Sequence, residues 1–275
     1  MTSHYPRPEL LAETDWLAER LDDPSVRIVD CDEFPAYQRL HIAGAVGLRV
    51  HHYLKGDDDV HLMPAEQFEQ TMASHGIGDE HTVVAYDSSG GLYAARLWWA
   101  LDYYGHPACK VLNGGFRKWF EEGRQVTQDQ LHVERVQFAV KPGSDCLCML
   151  EDMKDVPASS GVVIWDVRSR GEYTGEDPRQ NQHGGHIPGA VHLEWTNNLD
   201  PKGFFKPADQ LKTMYAARNI TPEKEVIPHC QGAYRSAHTY LALRLIGYPK
   251  VRNYLGSWGE WGNRLDLPIE HPSRP

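Results

Sequence analysis

A chain of 275 residues, 41% hydrophobic and 10% aromatic, is long enough to bury two cores of ordinary domain size. Acidic residues outnumber basic ones 38 to 28, for a net charge of −10, and no basic stripe appears, which argues against nucleic acid as a partner. No apolar run approaches the roughly 20 residues of a membrane helix, and the opening Met1-Thr-Ser-His-Tyr-Pro-Arg7 lacks the apolar centre of a signal peptide, so a cytoplasmic enzyme without membrane attachment is expected.

The same pattern of elements runs through the chain twice. Ile28-Val-Asp30 returns as Ile164-Trp-Asp166, and His41-Ile-Ala-Gly-Ala45 as His186-Ile-Pro-Gly-Ala190. Pro64-Ala65 with Phe68, Met72 and Ile77 recurs 143 positions later as Pro207-Ala208 with Leu211, Tyr215 and Ile220, and Val83 recurs as Val226. Gly114-Gly-Phe-Arg-Lys-Trp119 is matched by Gly256-Ser-Trp-Gly-Glu-Trp261. A nearly fixed offset over that length is the mark of a duplicated domain. The expected division is a first domain over 1–136, a linker over 137–157 with Lys141-Pro-Gly-Ser144 as a break, and a second domain over 158–275. In the second half, Val162 to Trp165 reads as a strand, Pro207 to Arg218 as a helix capped by Asn219, Glu225 to Ile227 as a strand, and Ser236 to Ile246 as a helix stopped by Gly247. Strands alternating with helices predict an α/β fold, a mainly parallel sheet flanked by helices in each half. Pro228 cannot donate to a ladder, and is expected at the last position of its strand.

Chemistry concentrates in His229-Cys230-Gln231-Gly232-Ala233-Tyr234-Arg235-Ser236. A cysteine between a strand end and a helix start faces free backbone N–H groups, which cradle an anion, and Arg235 supplies a nearby cation. Such surroundings lower a thiol pKa from about 8.5 to roughly 3.5–7.5 and make a nucleophilic thiolate. Cysteine phosphatases place five residues between Cys and Arg, to wrap a whole phosphate. Here the four residues Gln231 to Tyr234 form a smaller ring, better suited to one extra sulfur atom. The segment resembles the active-site loop of the rhodanese family of sulfurtransferases, and with the repeat the resemblance to tandem rhodaneses covers nearly the whole chain.

That resemblance implies two rhodanese-like domains and sulfur transfer through a persulfide on Cys230, with residues 231–236 lining the sulfur, and no metal or organic cofactor. Thiosulfate is the expected donor and cyanide, a thiol or a thioredoxin-like protein the acceptor. Through the repeat Cys230 falls opposite Asp87, and the first loop, Asp87-Ser-Ser-Gly-Gly-Leu-Tyr, is one residue longer. A carboxylate cannot accept a sulfane sulfur, so the first domain is read as catalytically silent and retained for packing. 3-Mercaptopyruvate is the alternative donor. Enzymes for it carry Cys-Gly-Ser-Gly-Val-Thr in this loop and an arginine four residues after that of Asp-X-Arg, where this chain has Glu172; Arg170 and Arg179 stand nearby as substitutes. A cysteine phosphatase or a non-catalytic binding module are the remaining readings.

Other residues read more plainly. Arg235 either contacts substrate or closes an ion pair at the loop's edge, and Ser236 either caps the helix or bonds the thiolate. Cys31 and Cys109 are expected to be packing residues, and Cys146 and Cys148, two apart, share a strand face without enough ligands for a metal. The paired His41 and His186, and Asp166-Val-Arg168, are expected to hold the fold. Gly56-Asp57-Asp58-Asp59 reads as a solvated turn. Residues 1–140 carry the whole net charge of −10, since the remainder balances 16 basic against 16 acidic groups.

Overall fold

The computed structural model describes residues 5–50, 54–143, 145–154, 156 and 161–271. They form two compact units, one of the described residues within 8–143 with 201–205, the other of those within 145–200 and 206–271 with the N-terminal residues 5–7. The stretch 137–157 is divided between them, and we place the boundary between residues 144 and 145. Ser144 and Pro157 lie outside the described residues.

In the first unit the strands are β1 (Leu11–Ala12), β2 (Val26–Asp30), β3 (His41–Ile42), β4 (Ala45–Gly47), β5 (Thr82–Tyr86), β6 (Cys109–Leu112) and β7 (Val126–Thr127). The helices are α1 (Thr14–Ala18), α2 (Phe34–Arg39), α3 (Ala65–Ser74), α4 (Leu92–Tyr103) and α5 (Gly115–Glu121). Five strands form one parallel sheet in the order β1-β6-β5-β2-β4, with a separate antiparallel pair β3-β7.

The second unit contains β8 (Leu147–Cys148), α6 (Leu150–Lys154), β9 (Val162–Asp166), α7 (Arg170–Thr174), β10 (Val191–His192), α8 (Ala208–Ala216), β11 (Glu225–His229), α9 (Tyr234–Leu245), β12 (Asn253–Tyr254) and α10 (Ser257–Trp261). Here β10-β9-β11 are parallel, a single parallel bridge joins Val226 to Val251, and β12 pairs with β8. The sequence β8-β12-β11-β9-β10 repeats the order of the first sheet. Central strands such as Val83-Val-Ala-Tyr86 and Val226-Ile-Pro-His229 are buried along their length, as strands of a covered parallel sheet must be. Each core is anchored by the matched tryptophan of the last repeated segment. Trp119 and Trp261 are fully buried, and their indole N–H groups donate to Gln125 O and Pro268 O, both at 2.9 Å.

Two expectations shift. Pro228 is the fourth of five residues in β11 and not its last, paired with Trp165. Alternate residues of a parallel strand bond to opposite neighbours, and Val226 bonds the Lys250–Arg252 side, so Pro228 points its missing N–H to the side where that ladder has ended. Helix α9 starts at Tyr234 and not at Ser236, because Ala233, its N-cap, takes the left-handed conformation at φ 62° and turns the chain sharply out of the loop. Helix α8 is shorter than predicted, starting after Pro207 and stopping at Ala216, while Asn219 sits at φ 60° three residues past the end.

Candidate active site

The carboxyl end of β11 delivers Cys230 to the edge where ligands meet open parallel sheets. The chain then turns through Gln231, Gly232 and Ala233 into α9, so the N–H groups of Gly232 and Ser236 point at the sulfur. The backbone of α10 closes the loop from the other side. Cys230 N–H donates to Ser257 Oγ (3.1 Å), while Trp258 N–H and Gly259 N–H donate to Cys230 O (2.8 Å) and Gln231 O (2.9 Å). A Cβ on Gly259 would stand 2.6 Å from Gln231 O, so only glycine permits this approach. On the loop's flank Gln231 and Asn181 exchange amide hydrogen bonds at 2.8 and 3.2 Å.

Cys230 is 1% exposed. Burial alone pushes the thiol up, but the Arg235 charge, the N–H groups of Ser236 and Gly232, and the Ser236 hydroxyl, which donates to Sγ at 3.7 Å, together hold it below the ordinary value. The other cysteines lie in different surroundings: burial raises the Cys31 and Cys109 thiols and takes Cys148 to about 12. Among the described residues no group of His, Cys, Asp and Glu is arranged to hold a metal ion, Cys146 and Cys148 included.

Arg235 forks onto Glu172: Nη1 donates to Oε2 at 2.6 Å and Nη2 to Oε1 at 2.8 Å. Glu172 is itself 1% exposed, accepts from Arg179 Nε at 2.8 Å, and caps α7 in a reciprocal box with Ser169. Burial works against the carboxylate, yet Arg235 and the Ser169 groups bring its pKa down to about 2. Arg179 holds φ 50° with its N–H on Asp177 Oδ1, and Arg170 is exposed at the first position of α7. Beneath the loop, Arg168 binds Asp166 through Nε and Nη2 at 2.5–3.1 Å with both side chains buried, and lies 4.4 Å over the Trp258 ring. His229 lies 3.7 Å from the Asp166 carboxylate, and burial lowers its pKa to about 4, so it is neutral.

In the first unit the same loop is filled from within. Asp87 Oδ1 accepts the N–H groups of Ser89 (2.7 Å) and Gly91 (2.8 Å), and Oδ2 those of Tyr93 and Ala94 (both 2.8 Å). Ser89 and Ala94 are the repeat counterparts of Gly232 and Ser236, so one cradle of dipoles holds a carboxylate in one unit and the Cys230 sulfur in the other. His41 stacks on Tyr37 (3.9 Å) and bonds Tyr37 O; His186 stacks on Tyr173 (3.8 Å) and bonds Tyr173 O. Both histidines are walled into their cores. Asp57 to Asp59 form a surface turn tied by Asp58 to His61.

The sequence model of the Rhodanese-like domain matches residues 13–122 and again 149–264. The chain belongs to the rhodanese family. Among similar proteins, the rhodanese-family chain is 36% identical to the sulfur carrier protein TtuD of Thermus thermophilus, over 96% of this chain and 98% of that one. It is 34% identical to a thiosulfate sulfurtransferase of Azotobacter vinelandii, over 95% and 97% of the two. The wild-type structure of EanB, 23% identical, superposes with a TM-score of 0.86 over 96% of this chain and 69% of that one, which shows the shared fold. Sequence reasoning missed Ser257, Gly259 and Asn181 as supports of the rhodanese loop. The repeat held a signal for the helix that carries the first two, since its matched segments dock alike: Phe116 N–H donates to Asp87 O (3.0 Å) as Trp258 N–H does to Cys230 O.

Proposed function

We propose that this rhodanese is a sulfurtransferase that carries a sulfane sulfur from thiosulfate to cyanide or a thiol through a persulfide on Cys230. The observation that carries the reading is a buried cysteine sulfur set among the N–H groups of a loop and helix start, with the Ser236 hydroxyl donating to it, at the one loop of the two where a thiol replaces Asp87. The Cys230 thiolate attacks the outer sulfur of thiosulfate. A new S–S bond forms as the old one breaks, and sulfite departs with the electron pair. The terminal sulfur of the persulfide carries the negative charge, which the N–H groups of Gly232 and Ser236 and the Arg235 guanidinium stabilise as they stabilised the thiolate. The acceptor then attacks that terminal sulfur, and the Cys230 thiolate leaves with the bonding pair, ready for a second cycle.

The similarity to a sulfur carrier protein supports a protein or small thiol, beside cyanide, as the acceptor. Glu172 weighs against a carboxylate-bearing donor such as 3-mercaptopyruvate, because its own carboxylate lies against Arg235. The short loop weighs against phosphate ester hydrolysis. Steady-state transfer from thiosulfate to cyanide tests the reading: Cys230→Ala is expected to abolish turnover, and retention of turnover in that variant would exclude Cys230 as the carrier.

A further inference from the structure

A charged side chain taken out of water needs an opposite charge beside it. The second unit meets that need internally: Arg168 forks onto Asp166, and its guanidinium lies 4.4 Å over the Trp258 ring. Through the repeat, Asp166 falls opposite Asp30 and Trp258 opposite Phe116, while the place of Arg168 is taken by Asp32. The first unit thus keeps the acid and the ring but has a second acid where the cation stood. Asp32 is 9% exposed, and its two oxygens share a single N–H, that of Ser88, at 2.9 and 3.1 Å. Among the described residues no basic side chain pairs with it. Asp30 and Asp87, the groups that feel its charge, are acids as well.

Beside Asp32 the fold leaves room. A cavity of about 290 Å³ is lined by Asp32, Ser88, Phe116 and Phe120, with Ala36 and Arg39 of α2. In the frame that pairs Tyr37 with Tyr173, Ala36 is the counterpart of Glu172, so a methyl group stands where the second unit has a long side chain. Phe120 takes the place of Gly262; it is 55% exposed and stacks on Phe116 with ring centres 6.0 Å apart, which carries the aromatic wall out to the surface. Arg39 is exposed, where water and salt screen its charge.

We propose that this cavity is a binding site for a small organic cation, a guanidinium on a short apolar stem, seated on Asp32 against Phe116 as the Arg168 guanidinium is seated on Asp166 against Trp258. The stem runs along Phe120. A guanidinium suits the place better than an ammonium, because its planar fork matches both oxygens of a carboxylate and also stacks on an aromatic ring.

Titration calorimetry of the whole protein with n-butylguanidinium, n-butylammonium and the neutral N-butylurea tests the assignment. It reads binding and not sulfur transfer, so its outcome is separate from that for Cys230. The guanidinium is expected to bind saturably at one site per chain. The urea, of similar shape but without charge, is expected to bind at least about tenfold more weakly, and the ammonium between the two. Asp32→Asn, which keeps an acceptor for Ser88 N–H, is expected to lower the affinity for the guanidinium to that for the urea. Ala36→Leu, which fills the cavity from α2, is expected to abolish binding of all three. Absence of saturable binding of the guanidinium to the unaltered protein overturns the proposal, and so does equal affinity for the urea. Undiminished affinity in Ala36→Leu places the binding elsewhere and overturns it too, whether or not Asp32→Asn folds.

Discussion

Asp87 and Cys230 occupy one position in two copies of a loop, and their chemistry diverges because one side chain answers the surrounding dipoles and the other exploits them. Four N–H groups at 2.7–2.8 Å saturate the Asp87 carboxylate, so the residue that stands in the place of the cysteine also completes the fold of its loop. Charged hydrogen bonds of this type are worth about 1.5–3 kcal/mol each, and a buried donor left without a partner costs about 1–3 kcal/mol. Asp87→Ala is therefore expected to destabilise the protein by at least about 3 kcal/mol in denaturant unfolding, with Asp87→Asn costing less because its amide keeps one acceptor oxygen. An unchanged midpoint for the alanine variant would show that the carboxylate is not what holds the loop. That Asp87 sits opposite Cys230 was legible in the repeat. That it acts as an internal anion was not, since four N–H groups from one turn converge only once the backbone has folded.

At the scale of elements, the strand, loop and helix around Cys230 were readable from an apolar run, a cysteine and an amphipathic stretch closed by Gly247. The start of α9 was displaced by two residues, because nothing in Gly232-Ala-Tyr234 announces a left-handed residue, and alanine is an uncommon choice for one. Ala233 is fully buried at φ 62°, where a non-glycine residue costs about 1–2 kcal/mol. Ala233→Gly should leave stability unchanged or raise it by up to about 1 kcal/mol. Ala233→Val, adding a β-branched side chain to a buried left-handed position, should cost more than about 2 kcal/mol and slow the alkylation of Cys230. Equal stability of the two variants would mean that the turn does not impose this conformation. Pro228 was placed one residue too late for a related reason: periodicity marks a strand but does not show which neighbour has run out of ladder.

For the whole molecule, duplication was the clearest message of the sequence, and the two sheets share one strand order. Duplication also supplies an internal control for charge. Asp166 is lowered despite burial because the Arg168 guanidinium forks onto it, whereas its counterpart Asp30 has Asp32 in the place of that arginine and is raised by burial to about 7. Tyr86 OH donates to Asp30 at 2.7 Å, but the neighbouring carboxylates of Asp32 and Asp87 oppose its ionisation. The folded state thus keeps the Asp30 proton to about pH 7, while the unfolded chain releases it near 3.8. Folded protein binds more protons in that window, so stability falls as pH rises from about 4 to about 7, by on the order of a few kcal/mol. Asp30→Asn is expected to flatten that decline in thermal unfolding between pH 5 and pH 8; an identical slope in both proteins would refute the assignment.

The central claim is that Cys230 carries the sulfur, and the mass of the Cys230 peptide after incubation with thiosulfate, without acceptor, tests it most directly. Gain of one sulfur atom on that peptide, lost again on adding cyanide, is the result predicted. A peptide of unchanged mass, with its thiol shown to be free, would contradict it.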